Sequence, residues 1–158
     1  MAAKVPITLA GFDQLQEEIR ILKTVDRPAV IQAISDARDH GDLSENAEYH
    51  AARERQSFIE GRLGELEGNL SRIDVIDPSK MSGNIIRFGA TVKITDEDSR
   101  EEHIYQIVGE YEASFENGKL AFTAPLSRAL IGKTVGDTVE VKTPKGVKTY
   151  EVLNVAYK

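Results

Sequence analysis

Five apolar residues, Ile59, Leu63, Leu66, Leu70 and Ile73, follow one another at steps of 4, 3, 4 and 3. That spacing keeps one stripe of a helix turned toward a partner and is the a/d pattern of a coiled-coil seam. Charged residues fill the positions between, among them Glu60, Arg62, Glu65, Glu67 and Arg72. A helix with one apolar stripe must bury it against something. The partner lies upstream, where Phe12, Leu15, Ile19 and Leu22 step by 3, 4 and 3, and Val30, Ile34 and Ala37 by 4 and 3. Two such helices joined by a few residues satisfy each other by packing antiparallel, so residues 1–76 are expected to form a two-stranded coiled-coil hairpin with its tip at about 40–46. A first helix over residues 9–39, at about 1.5 Å per residue, is roughly 45 Å long. From Leu22 to Val30 the interval is eight residues, one more than a heptad, and Pro28 falls inside it. A kink or two helical pieces are expected there.

The pattern changes after the second seam. Asp77 to Asn84 collects Pro78, Gly83 and polar residues and reads as a linker over 77–84. Beyond it the period becomes two. Ala90, Val92 and Ile94 alternate with Thr91, Lys93 and Thr95, and 104–108, 120–122, 139–141 and 150–155 are further strands. Asn117-Gly118 and Thr143-Pro144-Lys145-Gly146 read as turns. Only Pro125 to Ile131, closed by Gly132, reads as helical in this half. The fold class is therefore α+β: a helical hairpin followed, over residues 85–158, by a small antiparallel sheet domain with a short helix.

Composition narrows the function classes. The chain has no cysteine, which excludes disulfide frameworks, thiolate zinc sites and cysteine nucleophiles. No apolar run approaches the roughly 18 residues that a spanning helix needs, so a cytoplasmic protein without a membrane partner is expected. The net charge of −6 argues against a protein that coats duplex DNA. The acidity is concentrated in residues 1–76, with 9 Lys/Arg against 14 Asp/Glu, while residues 77–158 carry 11 against 12.

Candidate chemistry gathers at the connection between the helices, Arg38-Asp39-His40-Gly41-Asp42-Leu43-Ser44-Glu45-Asn46-Ala47-Glu48-Tyr49. Gly41 breaks the first helix, which sets Asp42 and Glu45 at the hairpin tip. Two carboxylates three residues apart across a helix start can share one hard cation, supplying half of a Mg²⁺ site. The same Asp-x-x-Glu spacing is that of a capping box, and Ser44 offers a competing cap; spacing alone leaves these readings open. His40 and His50 lie ten residues apart across the turn and read as surface residues, not zinc ligands. Arg38, Arg53 and Arg55 bring positive charge to the tip and Tyr49 an aromatic ring, the pairing that holds single-stranded nucleic acid by phosphate contact and stacking. A salt-bridged helix surface accounts for the same residues.

The run Gly41 to Glu54 (GDLSENAEYHAARE), with Phe88-Gly89-Ala90-Thr91-Val92 and Pro125-Leu126-Ser127-Arg128-Ala129-Leu130-Ile131-Gly132-Lys133, resembles the bacterial Gre transcript cleavage factors, and the resemblance spans the whole chain. It implies a coiled-coil hairpin followed by an FKBP-like domain. It implies as partners bacterial DNA-directed RNA polymerase, entered through its secondary channel, and the RNA 3′ end of a backtracked complex. On the same resemblance Asp42 and Glu45 match the tip acids that help hold a catalytic Mg²⁺ and the attacking water in the polymerase site. A factor that binds no metal by itself, works as a monomer and leaves the cleavage to the polymerase is expected. Arg38 and Arg53 match basic residues near the RNA path, with Tyr49 and Arg55 beside them. Pro125 and its neighbours Leu126, Ala129 and Leu130 match the segment that docks at the channel rim, with Leu126 or Leu130 expected to be exposed. The family usually has Ser before this proline, whereas the chain has Ala124. A non-catalytic inhibitor of the same channel, built on the same scaffold, is the rival; Asp39 as a third nearby acid keeps it open, and the intact Asp42/Glu45 pair favours cleavage stimulation.

Overall fold

A computed structural model describes residues 4–41 and 46–158. They form two compact units: residues 13–73, and residues 4–12 together with 74–158.

In the first unit the upstream strand of the hairpin is α1 (Leu9–Ile21), a π-helical turn (Leu22–Asp26) and α2 (Arg27–Asp39); the return strand is α3 (Ala47–Leu70). The π turn lies where the sequence places its extra residue. Pro28 has no N–H to donate and its ring crowds the carbonyl four residues back. The helix widens instead, with the Arg27 N–H bonded to the Leu22 carbonyl, five residues earlier. The Thr24 hydroxyl donates to the Arg20 carbonyl at 2.7 Å within the same stretch. Of the two expected outcomes, the chain takes two helical pieces, and the wide turn absorbs the residue that would otherwise rotate the stripe out of the seam. Leu15, Ile19, Leu22, Val30, Ile34 and Ala37 are buried upstream, as are Ala52, Ile59, Leu63 and Leu66 on α3. At roughly 1.5–3 kcal/mol for each fully buried Leu or Ile, this stripe dominates the unit's stability. Charged pairs run beside it: Arg27 grips Glu60 through two bonds of 2.9 and 2.8 Å, Arg62 grips Glu18 at 2.8 and 3.2 Å, and Lys23 meets Glu67 at 3.3 Å. Exposed pairs of this kind add little energy but discriminate against slipped registers.

The seam ends one step early. Ile73, expected as its last residue, instead begins strand β2 (Ile73–Ile76), because Ser71 closes α3 and Ile-Asp-Val-Ile is rich in β-branched residues. β2 pairs with β1 (Val5–Thr8), a strand with no forerunner in the sequence reading.

The second unit is built on a five-stranded sheet. Its strands are β3 (Thr91–Asp96), β4 (Glu102–Val108), β5 (Lys119–Ala121), β6 (Thr138–Thr143) and β7 (Gly146–Ala156), in the order β5-β4-β3-β7-β6. Helix α4 (Pro125–Leu130) adds Leu130 to a core of Ile86, Val92, Ile94, Ile107, Val139, Val152 and Val155. The β6–β7 hairpin turns at Thr143 to Gly146 as the turn residues require. Two details depart from the expected antiparallel sheet. β5 runs parallel to β4, because the segment between them reverses twice and returns in the same direction. β7 carries a bulge opposite Lys93 and Ile94, so Val152 and Val155, three residues apart, both reach the core.

Carboxylates absorb stray backbone donors in this unit. Glu112 accepts from the backbone N–H of Thr8 at 2.8 Å and of Gly109 at 3.0 Å, and from the Thr8 hydroxyl. That hydroxyl in turn accepts from the Gly11 N–H at 3.1 Å and caps the first turn of α1. Gly109 must be glycine here: a Cβ would stand 2.4 Å from the Pro6 carbonyl oxygen. Asp96, nearly buried, accepts from the N–H groups of Asp98 at 2.9 Å and Ser99 at 3.3 Å. Those two donors, with Lys148 and His103 nearby, hold its carboxyl below the usual carboxylate range despite the opposing effect of burial.

Replacing Glu112 with Ala leaves two N–H groups and a buried hydroxyl without their acceptor, and is expected to lower unfolding free energy by about 1–3 kcal/mol in urea titrations. Asp96 supplies a pH signature. Its folded-state pKa is depressed, so its contribution is complete above the ordinary carboxylate value and is lost as pH falls through the lower folded one. The stability gap between wild type and Asp96→Asn, measured by thermal melting at pH 6, is therefore expected to narrow as pH falls below the ordinary carboxylate value.

Candidate functional site

The tip is built from the last turn of α2 and the first turn of α3. His40 ends α2, its N–H on the Ala37 carbonyl and the Gly41 N–H on the Arg38 carbonyl, both at 3.2 Å. Gly41 then turns at φ +112°, a region that side chains other than hydrogen rarely enter. Asp42, Leu43, Ser44 and Glu45 lie outside the described residues, and with them the capping and metal expectations placed there. The chain is next described at Asn46, which is the N-cap of α3. Its Oδ1 accepts from the Tyr49 N–H at 3.0 Å, and its Nδ2 donates across the hairpin to the Ala37 carbonyl at 2.6 Å. One side chain thus caps one helix and fastens it to the end of the other.

The remaining tip residues arrange themselves around that joint. His40 Nδ1 lies 3.2 Å from a Glu48 carboxylate oxygen, a second and more exposed link between the two helices. Glu48 in the first turn of α3 and Arg38 in the last turn of α2 each face the helix-dipole end that suits their charge. Tyr49 is half-buried, three residues before the buried seam residue Ala52, and meets His50 edge-on at 5.6 Å. It continues the seam more than it stands free as a stacking platform. Arg38, Arg53 and Arg55 are exposed; Arg53 donates to Gln56 at 3.1 Å, and among the described residues no ion pair holds Arg38 or Arg55. Asn46 is the joint residue that the sequence reading does not single out. Its signal was present, since Asn is a favoured N-cap and a helical run starts one residue later, but Asp42 and Ser44 drew the assignment.

The docking segment sorts differently from expectation. Pro125 opens α4 and is exposed, but Leu130 is 0% exposed and belongs to the sheet core, with Leu126 and Ala129 packed against it. The exposed-leucine reading is corrected: an amphipathic six-residue helix on a sheet must turn its leucines inward. Its outward residues are Arg128, then Ile131 and Lys133, which line an open cleft with Thr138 and Glu140. Ala124 is the N-cap of α4 and offers no side-chain acceptor.

Two family comparisons cover nearly the whole chain. Residues 5–75 match the family described as Transcription elongation factor, N-terminal, and residues 81–157 match Transcription elongation factor, GreA/GreB, C-term. The chain belongs to the GreA/GreB family of transcription elongation factors. Among its GreA/GreB relatives is the transcription elongation factor GreA of Paracoccus denitrificans, 62% identical over 154 residues that cover 98% of both chains. That of Cereibacter sphaeroides is 63% identical over the same coverage. The solved GreA factor homolog 1 of Thermus thermophilus is 27% identical, with coverage of 96% and 98% and a TM-score of 0.44. No helix among the described residues is long and apolar enough to cross a membrane.

The uncapped start of α4 in this GreA/GreB member gives a direct test of the missing cap. Ala124 already has the extended backbone of an N-cap, φ −64° and ψ 148°. Ala124→Ser is expected to raise unfolding free energy by about 1 kcal/mol in urea titrations.

Proposed function

We propose that this elongation factor stimulates the cleavage of backtracked RNA by bacterial RNA polymerase, with the hairpin tip entering the secondary channel and the sheet unit docking at its rim. The reading is carried by family membership along the whole chain, together with an acid pair, Asp42 and Glu45, in the short connection between two helix ends that Asn46 ties together.

The donor set suits the chemistry. Asp42 and Glu45 offer hard oxygen ligands, the type that Mg²⁺ takes, but two carboxylates are only part of an octahedral set. Mg²⁺ in the polymerase site would supply charge neutralisation and an activated water for phosphodiester hydrolysis. The chain's own contribution is to bring two carboxylates to that site on a stiff support. Arg38, Arg53 and Arg55 supply the positive charge that RNA phosphates attract near an otherwise acidic hairpin. Docking falls to the exposed members of the Pro125 segment, Pro125, Arg128, Ile131 and Lys133, now that Leu130 is placed in the core. The protein acts as an accessory factor in the cytoplasm, as a monomer, and the polymerase performs the bond cleavage.

The test uses end-labelled RNA in a backtracked bacterial polymerase complex with Mg²⁺. The wild-type chain is expected to release short 3′ fragments with polymerase and to leave the same RNA intact without it. Asp42→Asn and Glu45→Gln are each expected to slow stimulated cleavage by roughly 10- to 100-fold while competing for polymerase like wild type. Full activity in both variants would remove the acid pair from the mechanism.

A further inference from the structure

The two bonds of Asn46 do different things. The Tyr49 N–H is an ordinary N-cap partner, and Ser or Asp at this position would accept it as well. The Ala37 carbonyl is not part of α3 at all: it belongs to the last turn of α2, nine residues back, and already receives the His40 N–H. A carbonyl has two lone pairs, so the second bond displaces nothing. Only a side chain that carries an acceptor and a donor on one planar group can cap α3 and grip α2 together, and at this length that side chain is Asn.

The joint ties the C-terminal end of α2 to the N-terminal end of α3. Ala37 and Ala52, the fully buried seam residues nearest the tip, are both small, and Tyr49 beyond them is only half-buried, so the helix ends have little apolar area to hold them together. His40 and Glu48 also link the ends, but both side chains are well exposed and such pairs are weak. Glu45 is the residue immediately before Asn46, and Asp42 immediately follows Gly41, whose N–H is tied to α2. What fixes the two helix ends therefore fixes both ends of the acid-bearing connection.

We infer that Asn46 is a positioning residue for the cleavage reaction, locking the ends of α2 and α3 at the spacing that presents Asp42 and Glu45 to the polymerase site. This rests on the proposed cleavage function. A loose tip still docks, but its carboxylates reach productive geometry only part of the time, and small misplacements cost rate steeply. The role shows itself in the rate at saturation and in the Mg²⁺ requirement, not in affinity.

The discriminating variant is Asn46→Ser, whose hydroxyl keeps the cap on Tyr49 and is too short to reach Ala37; Asn46→Ala removes both bonds. Each is compared with wild type in full-length form by thermal melting, by competition for polymerase, by cleavage of backtracked RNA at saturating factor across a Mg²⁺ titration, and by amide hydrogen exchange at His40 and Gly41. For Asn46→Ser the expected result is near-wild-type melting and competition, a cleavage rate lower by roughly tenfold or more, a higher Mg²⁺ midpoint, and faster exchange at both amides. Asn46→Ala is expected to show the same kinetic loss with an added drop in melting temperature. Wild-type cleavage rates and Mg²⁺ midpoint in Asn46→Ser would overturn the positioning role alone. Absence of stimulated cleavage with the wild-type chain would overturn the proposed function, and the positioning role with it.

Discussion

Everything in the hairpin depends on keeping one apolar stripe facing another over about eight helical turns. An α-helix has 3.6 residues per turn, the seam repeats every 3.5, and this chain adds an eighth residue between Leu22 and Val30. Left in an ordinary α-helix, that residue would rotate Val30, Ile34 and Ala37 by about 100° away from α3 and expose the half of the seam nearest the tip. The π turn over Leu22–Asp26 takes up the extra residue and returns the stripe to register. Pro28 favours the wide turn here, since it has no N–H to offer the Thr24 carbonyl and its ring crowds that carbonyl in an ordinary α-helix. An apparent flaw in the heptad and a helix-breaking residue cancel, and the tip inherits a continuous seam.

The second unit solves a different problem, the accounting of backbone donors at places where strands end and the chain turns. Two carboxylates do much of this. Asp96 closes the turn between β3 and β4 through the N–H groups of Asp98 and Ser99. Glu112 gathers Thr8 and Gly109 from segments a hundred residues apart, and through the Thr8 hydroxyl it reaches the first turn of α1. Residues 4–12 therefore belong with the sheet unit in their contacts although they precede the hairpin in sequence. Local sequence gives no sign of that: Val5-Pro6-Ile7-Thr8 is too short to show a period, and its partners lie far along the chain.

How much was legible follows from how local each cause is. The two seams, the slip at Pro28, the β6–β7 turn and the short helix after Ala124 are written in nearest neighbours and could be read directly. Leu130 could not be placed, because a six-residue helix offers too few turns to tell its inner face from its outer one without the sheet beneath it. Val152 and Val155 violate strand alternation and make sense only once the bulge opposite Lys93 is known. Ile73 fits the helical period and the strand propensity equally well, and the end of α3 decided between them. At the tip, the family resemblance singled out the acids, while the residue that joins the helices, Asn46, is visible only when its amide is seen to reach α2.

That joint bears on why carboxylates would be delivered on a coiled coil at all. A pair of metal ligands on a free loop would lose about 1–2 kcal/mol of backbone entropy for every residue that must be ordered at the moment of binding. A helical hairpin has already lost that entropy on folding, at the expense of its own seam. Stiffness is useful only if it extends to the helix ends, and here the buried seam thins to Ala37 and Ala52. A single amide that caps one helix and holds the other extends the rigidity past the point where apolar packing runs out. The net charge of −5 over residues 1–76 makes the same demand from another direction. On the proposed function, repulsion between an acidic hairpin and a phosphate-bearing site would drive a flexible tip toward its least repulsive arrangements, which favours a geometry built into the fold before the partner is met.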